Sequence, residues 1–389
     1  MKIWPLFPLP LLCIMASGPT LPAAPPGAAV TVRNALDVAR PSETIVLTGA
    51  AIRKAMAVDD LRTIHVTDDA SGTELVVQPI DLNDDGAFDE VIFQADIGPG
   101  AARTFSLSAG PRQVYTKHQF KAYGRFVRER RDDFAWENDR VAHRMYGKAL
   151  ETWAQEPLTS SAVDVWFKRT RRLLVNEWYM VDDYHRDLGE GADLYSAGRS
   201  RGCGGNGIWD AGRLYTSANF VDSKVFANGP IRVMFELTYP AFDAGGARVT
   251  ETKRITLDAG HNLNRFESRY AGTPAAPNAQ AAGIKKAAGS LIAQDKARGL
   301  LRTWEPVKAD GSHFGCGVVV DPARLTEFAE VDGNVLAVTT LSAGSDVTYY
   351  AGSGWDRSGD FKTVADWDRY LDQAALRIRS PLAVTVASR

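Results

Sequence analysis

Several ligand-binding motifs are missing from this chain of 389 residues. Its one glycine-dense run, GRSRGCGGNGIWDAG, lacks the GK[ST] ending of a phosphate-binding loop and is not a GxGxxG fingerprint following a parallel strand. Only six histidines occur, and none shows HxH or HxxxH spacing. These absences argue against nucleotide-dependent chemistry and against a zinc site.

The chain also lacks a strong charge of either sign, since 45 basic and 47 acidic residues give a formal net charge of -2. A basic patch for nucleic acid and a cationic surface for membranes are therefore not expected. Arginines clustered locally in a near-neutral protein favour a small anionic ligand instead. The length predicts two domains, or one large sheet assembly with an appendage.

Long apolar runs are confined to the first residues. Residues 1–28 combine the single charge of Lys2 with a short, proline-broken apolar run and then small residues. This pattern predicts a secretory signal peptide and no stable membrane insertion, so we expect an exported protein, periplasmic or secreted.

Cysteine is scarce as well. Only Cys203 and Cys316 follow the leader. In an oxidising compartment the two can form a disulfide, and two buried free thiols are the alternative.

Alternation of apolar and polar residues dominates the rest of the chain and predicts antiparallel strands with one face in a core. The predicted fold class is mainly β. The segments that carry this pattern are 163–170, 231–239, 249–258, 335–342, 346–352 and 382–387.

Composition along the chain predicts two units after the leader, a small N-terminal β-domain over 29–115 and a large β-domain over 116–389 that carries the site. A helix is expected over 363–376, because Thr363 and Asp366 resemble a capping box ahead of an apolar stripe. The segment 271–290 has few bulky residues and is expected to be a loop.

One stretch, DLNDDGAFD, spaces acidic groups as a calcium loop does, with Gly86 at the turn. The bidentate Glu of such a loop is missing, because Ile92 occupies that position. A structural Ca²⁺ site and an Asx-rich hairpin loop that satisfies its own backbone are the two interpretations. The candidate ligands are Asp81, Asn83, Asp85 and Asp89. No cofactor is expected to be required.

Residues 134–210 mix tryptophans and tyrosines with arginines and histidines more densely than a core or a solvated surface requires. Aromatic faces bind sugar rings, and guanidinium forks pair with carboxylates. The candidate catalytic residues are Tyr184, His185, Arg199, Arg201, Tyr146 and His313. The candidate substrate-binding residues are Trp136, Asn138, Arg140, Arg144, Glu190, Trp209 and Trp355.

This combination suits β-elimination from a uronic acid. Arginines neutralise the carboxylate so that charge can develop when the neighbouring C5 proton leaves. A tyrosine or histidine removes that proton, and a second such group protonates the leaving oxygen. The residues do not assign the base and the acid, and each candidate also has a structural interpretation as an ion pair, a turn or a core residue.

Several runs are similar to an exported bacterial family found in gene clusters for polysaccharide degradation and long known only as a domain of unknown function. They are FAWENDRVAHRMYG, DYHRDLGEG, SRGCGGNGIWD, NGPIRVMFELTY and ETKRITLDAGHNLNRFES. One branch of that family dehydrates ulvan oligosaccharides, removing water from a non-reducing-end uronate to leave a 4,5-unsaturated uronate. The resemblance implies the same activity and an antiparallel β-supersandwich of the galactose-mutarotase and lyase type.

Two other classes of function remain open. Asp183 and Glu190 provide a carboxylate pair for a glycoside hydrolase acting on acidic oligosaccharides. A non-catalytic sugar-binding module is the other. The expected partner in each case is an acidic oligosaccharide, and the sequence makes no prediction of the oligomeric state.

Overall fold

The structure is a computed structural model that describes residues 27–155, 157–181, 184–273, 278–341 and 346–389. The predicted leader therefore lies almost wholly outside the described residues, and so does Asp183 of the proposed carboxylate pair. Among the residues described, no helix has the length and apolar character needed to span a membrane.

The N-terminal part of the chain forms seven strands and one α-helix. These are β1 (Ala28–Arg33), β2 (Arg40–Thr48), α1 (Gly49–Ala55), β3 (Ile64–Asp68), β4 (Glu74–Leu75), β5 (Val77–Ile80), β6 (Glu90–Ile97) and β7 (Ala102–Ala109). The later strands and helices are β8 (Ala122–Val127), β9 (Asp133–Asn138), β10 (Ala142–Met145), β11 (Asp164–Lys168), α2 (Val175–Met180), β12 (Gly191–Ala192), β13 (Cys203–Asp210), β14 (Arg213–Tyr215), β15 (Asp222–Asn228), β16 (Arg232–Ala244), β17 (Ala247–Asp258), β18 (Leu263–Thr273), β19 (Ala279–Lys285), β20 (Leu291–Asp295), β21 (Leu300–Pro306), β22 (His313–Val319), β23 (Leu325–Val331), β24 (Asn334–Thr340), β25 (Val347–Trp355), α3 (Val364–Arg379) and β26 (Ala383–Ser388). Short 3₁₀ turns cover Leu61–Thr63, Lys117–Gln119, Arg128–Arg130 and Lys148–Thr152.

The small domain packs a five-stranded sheet, in the order β26-β1-β7-β3-β4, on a three-stranded sheet, β2-β6-β5. Its core is apolar, with Val30, Ile64 and Phe93 fully buried. Strand β26 pairs antiparallel with β1 along its whole length. The predicted division places 116–389 in the large domain, whereas this last strand pairs with the first strand of the small domain, a contact that the linear pattern does not reveal.

The large domain is an antiparallel β-sandwich. An eight-stranded sheet, β15-β16-β17-β18-β25-β22-β21-β20, faces two five-stranded sheets, β12-β11-β10-β9-β8 and β14-β13-β19-β24-β23. One large apolar core lies between them. The prediction of a mainly β fold, with a large antiparallel sandwich and a small N-terminal β-domain, is confirmed.

Two local predictions meet different outcomes. Helix α3 begins with the expected capping box, since Thr363 Oγ1 accepts from the Asp366 backbone N–H and Asp366 accepts from that of Thr363. The loop predicted over 271–290 is wrong for 271–273, where β18 ends, and for 279–285, where β19 runs as a central strand, while residues 274–277 lie outside the described residues. Alanines and a glycine suit that strand because a larger residue at Gly283 would collide with Leu336 of β24.

Cys203 and Cys316 form a disulfide between β13 and β22, which belong to facing sheets. The bond closes a loop of 113 residues, a length at which removal typically costs about 2–5 kcal/mol. We expect the double variant Cys203→Ala, Cys316→Ala to lose that much free energy of unfolding in a urea titration. An unchanged midpoint at an unchanged slope would contradict the expectation.

Candidate active site

The sheet β8–β12 buries both of its faces along β9, β10 and β11, and the two faces differ in chemistry. Alternation along β9 turns Phe134 and Trp136 toward the sandwich core and Ala135 toward the outside. On β11 the outward positions are Asp164, Trp166 and Lys168, all buried. This outer face is covered by α2 and by the segment that follows it, so charged groups lie under a lid of aromatic residues.

A buried ion pair fixes that cover. Lys168 Nζ donates to Glu137 Oε2 at 2.6 Å and to the Asn138 carbonyl at 2.7 Å. The other oxygen of Glu137 accepts from the backbone N–H groups of Leu174 and Val175, each at 2.6 Å. These two N–H groups stand at the start of α2, where helices leave donors without intrahelical partners. The pair therefore positions α2 over the sheet.

Arg144 is the centre of the outer face and is surrounded by carboxylates. Its Nε donates to Asp164 Oδ2 at 2.8 Å, its Nη2 lies 3.1 Å from Asp193 Oδ2, and its Nη1 lies 3.8 Å from Asp133 Oδ2. Burial lowers the pKa of Arg144, but the neighbouring Asp193 and Asp164 outweigh it and raise the pKa well above the ordinary value. The guanidinium is charged at every relevant pH.

Two tyrosines lie next to this cluster. The Tyr146 hydroxyl donates to Asp164 Oδ2 at 3.1 Å, and burial raises its pKa well above the ordinary value. The Tyr184 ring stacks on Trp166 at 5.2 Å, and burial raises its pKa as well. Both phenols are therefore protonated near neutral pH.

His185 supplies an imidazole at the same place. Its Nδ1 lies 3.1 Å from the Asp193 carbonyl and 3.6 Å from Asp193 Oδ2. When Nδ1–H donates to these oxygens, Nε2 carries the free lone pair, which is the arrangement of a general base. The side chain is 58% exposed, so a substrate can reach it.

A cavity of about 400 Å³ opens at this place. Arg144, Tyr146, Asp164, His185 and Asp193 line one side of it. The remaining lining residues are Leu158, Leu194, Tyr195, Ser196, Ala197, Gly198 and Ala309. Tyr146 and His185 of the predicted catalytic set thus meet Arg144 of the predicted binding set, with Tyr184 adjacent, and the volume suits a small ligand.

Two of the other predicted arginines, Arg140 and Arg201, are held away from this cavity. Arg140 pairs with Asp360. Arg201 is buried in the sandwich, where its Nη1 donates to Ser161 Oγ at 3.1 Å, and burial lowers its pKa to about 10. Arg199 is exposed and follows the cavity residue Gly198 in sequence. The expectation that Arg140 and Arg201 join Arg144 around one substrate carboxylate is therefore corrected, because a long-range ion pair holds Arg140 and burial holds Arg201.

The predicted tryptophan platform is corrected too. Trp136 is fully buried and stacks on His143 at 5.2 Å, while its Nε1 donates to Asn264. Trp355 is 2% exposed and donates to Ser312. Trp209 is half-buried at the end of β13 and packs against a small separate cluster. A sugar ring cannot lie on faces that the core already covers.

The remaining predicted residues lie elsewhere. The Asn138 side chain donates to the carbonyls of Asp258 and His261, so it joins two segments. Glu190 forms a surface pair with Arg172. His313 lines a different cavity, of about 350 Å³, together with residues such as Trp304 and Asp356.

The acidic loop at 81–89 satisfies its own backbone. Asp81 accepts from the N–H groups of Asp84 and Gly86 at 2.6 and 2.8 Å, and Asp89 accepts from that of Leu82 at 2.7 Å. Asn83 and Asp85 bond each other and the following backbone. Within the described parts of the chain, no group of three or more His, Cys, Asp or Glu side chains is arranged to hold a metal. The contacts are those of an Asx-rich turn, and calcium binding there stays a prediction.

Sequence reasoning missed Asp164, and it considered Asp193 only as one of the acidic residues near His185. Asp164 and Asp193 contact Arg144 directly, and the half-buried Tyr179 packs on Trp166. A signal for Asp164 exists in VDVWFK, since a carboxylate, a tryptophan and a lysine share one face of that strand. When a strand face of this kind is buried, each charged side chain on it needs a partner of opposite charge within the protein.

A two-domain antiparallel β-sandwich with a charged, tyrosine-lined cavity on one sheet is the class of protein that these observations define. The chain belongs to the family described as a domain of unknown function, DUF4861, whose model matches residues 32–384. Uncharacterized protein P7 of Formosa agariphila is 31% identical over 371 residues, covering 92% of this chain and 93% of that protein.

Two solved structures share the fold. An alpha-mannosidase from Enterococcus faecalis V583 aligns with a TM-score of 0.50 at 9% identity, over 93% of this chain and 46% of that one. A glycosyl hydrolase family 38 protein from Enterococcus faecalis gives the same TM-score and identity, over 93% of this chain and 47% of that one. The chain thus spans about half the length of these structures, and the likeness concerns the fold alone.

Proposed function

We propose that this protein is an exported carbon–oxygen lyase that dehydrates the non-reducing-end uronic acid of acidic oligosaccharides and leaves a 4,5-unsaturated uronate. One observation carries the proposal. His185 and Tyr146 line the same cavity, and each contacts a different carboxylate of the Arg144 cluster. A base and a proton donor therefore line one cavity, each held by its own carboxylate, and elimination requires both groups.

The roles follow from the contacts. His185 Nε2 removes the C5 proton, and the electron pair left on C5 forms the C4–C5 double bond. The bond from C4 to its hydroxyl breaks, and Tyr146 protonates the departing oxygen, so that water leaves. Asp164 accepts the hydrogen bond of Tyr146 and orients the phenol. Asp193 orients the imidazole. Arg144 keeps both carboxylates in place.

A uronate also brings its own carboxylate, which must be neutralised for charge to build up. Arg144 already contacts Asp164 and Asp193, so it has little capacity for a third anion. Arg199 is exposed and directly follows the cavity residue Gly198 in the chain, and it is the guanidinium that we assign to the substrate carboxylate.

Export is supported by two features. The first residues have the composition of a secretory leader. The Cys203–Cys316 bond is of the kind that forms and persists in oxidising compartments. Export is tested by sequencing the N-terminus of the mature protein from its native host and by finding the cell fraction that contains the protein.

A glycoside hydrolase is the second candidate, because Asp164 and Asp193 both line the cavity and a carboxylate pair can serve hydrolysis. A panel of uronate-terminated oligosaccharides separates the two activities. Dehydration lowers the product mass by one water and creates an ultraviolet-absorbing conjugated double bond. Hydrolysis shortens the chain, adds one water across the two products and creates no such absorbance.

Arg199→Ala should raise KM for a uronate-terminated oligosaccharide by about tenfold or more, since a charge-assisted hydrogen bond is lost. The matched control is Arg248→Ala, an exposed arginine of β17 whose neighbours in the chain do not line the cavity. Initial rates of ultraviolet absorbance at varied substrate give KM and kcat for both variants. Equal kinetics in the two would remove Arg199 from the site.

A further inference from the structure

A second, larger cavity of about 530 Å³ lies between the two domains. Strand β2 and the chain around β26 form one wall, and the eight-stranded sheet and the end of α3 form the others. Ligand sites occur preferentially at such domain junctions, and the volume falls in their usual range. None of the residues assigned above to the lyase reaction lines it.

Arg377 of α3 lines this cavity, and its guanidinium group makes few hydrogen bonds to the described residues. The residue is 9% exposed. Its one hydrogen bond to a described residue runs from Nε to the Gln373 carbonyl at 3.3 Å. Its Nη1 lies 3.8 Å from Glu43 Oε2, which is beyond hydrogen-bond distance. Glu43 Oε2 is itself buried and accepts no hydrogen bond from any described residue.

The other cations of the cavity are paired closely. Arg232 makes a two-point pair with Asp258 at 2.6 and 2.8 Å. Arg265 pairs with Glu267 and is 44% exposed. A guanidinium group can bind a carboxylate through two parallel hydrogen bonds. Among the three arginines that line the cavity, Arg377 is the one whose terminal nitrogens make no hydrogen bond to a described carboxylate.

The rest of the lining divides into an apolar and a polar part. Ile378 and Leu382 provide an apolar wall beside Arg377, and Thr256 and Tyr350 provide hydroxyl groups. The Thr44 hydroxyl already accepts from the Gln94 amide at 3.1 Å. A ligand that matches both parts has an apolar face and several hydroxyls in addition to its anion. A fatty acid would leave the hydroxyls without partners, and inorganic phosphate would leave the apolar wall uncovered.

We propose that the cavity between the domains is a binding site for a monosaccharide acid, with Arg377 holding the carboxylate. The proposal does not depend on the lyase activity. It requires only that a small sugar acid binds here, whether or not the other cavity converts a substrate.

Calorimetric titration with D-glucuronate and D-glucose tests it, because the two sugars differ in the carboxylate alone. We expect saturable binding of glucuronate and at least tenfold weaker binding of glucose. Arg377→Gln should weaken glucuronate binding by about tenfold or more, since it removes a charge-assisted contact. Arg199→Ala should leave this event unchanged, which separates it from binding at the proposed active site.

A second variant, Glu43→Gln, tests the proposal independently if Arg377→Gln fails to fold. Removing the competing negative charge beside Arg377 should tighten glucuronate binding several-fold, while the amide oxygen can still accept from Arg40. A purely structural role for Glu43 would not raise affinity. The proposal is overturned if no binding is detected, if glucose binds equally well, or if the folded variants bind as the wild type does.

Discussion

Replacing His185 by alanine should lower kcat for dehydration of a uronate-terminated oligosaccharide by about 10²–10⁴-fold, the contribution of one positioned acid or base. The reason is geometric. Its Nδ1 faces Asp193, its Nε2 is left free, and the ring is open to the cavity. KM should change little, because the substrate carboxylate is assigned to Arg199. The measurement is the initial rate of ultraviolet absorbance, with mass analysis for loss of water.

The matched control is His118→Ala, an exposed histidine in the segment between the domains. Because the His185 side chain is 58% exposed, its removal should shift the thermal midpoint little, as for most surface substitutions. A rate within a few-fold of the wild type for His185→Ala would exclude it as the base. Equal losses in both histidine variants would point to a general effect on the protein.

The sequence correctly predicted those features that depend on residues close together in the chain, such as a helix cap and the alternation within a strand. The capping box of α3 involves Thr363 and Asp366, three residues apart, and it formed as expected. Strands such as β16 and β17 followed from alternation because each buries one face. His185 was chosen for its acidic neighbours, and its partner Asp193 is only eight residues away.

Long-range pairing was beyond the same reasoning. Arg140 is neutralised by Asp360, 220 residues further along the chain. Trp136 is fixed by Asn264, 128 residues away. Arginines and tryptophans that are close in sequence therefore looked like a ligand site, although tertiary contacts had already used most of them. The outer face of the sheet β8–β12 makes prediction difficult for a second reason. It carries charged residues, as a solvent-exposed face does, although it is buried.

The Lys168–Glu137 pair allows a test of how the site is covered. Both side chains are buried, at 0% and 1% exposure, and Glu137 also holds the first N–H groups of α2. Lys168→Met should lower the free energy of unfolding by about 3–5 kcal/mol, because it leaves a buried carboxylate without its cation. Urea unfolding monitored by tryptophan fluorescence gives the value, since Trp178 of α2 packs on Trp166.

The double variant Lys168→Met, Glu137→Gln distinguishes the charge from the packing. The glutamine keeps an oxygen for the N–H groups of Leu174 and Val175 but carries no charge, so most of the loss should be recovered. Recovery in stability should be accompanied by recovery in turnover if α2 serves only as a cover over Arg144. If the double variant is as unstable as Lys168→Met, the lysine acts through its bond to the Asn138 carbonyl and its packing, and the ion pair does not position α2.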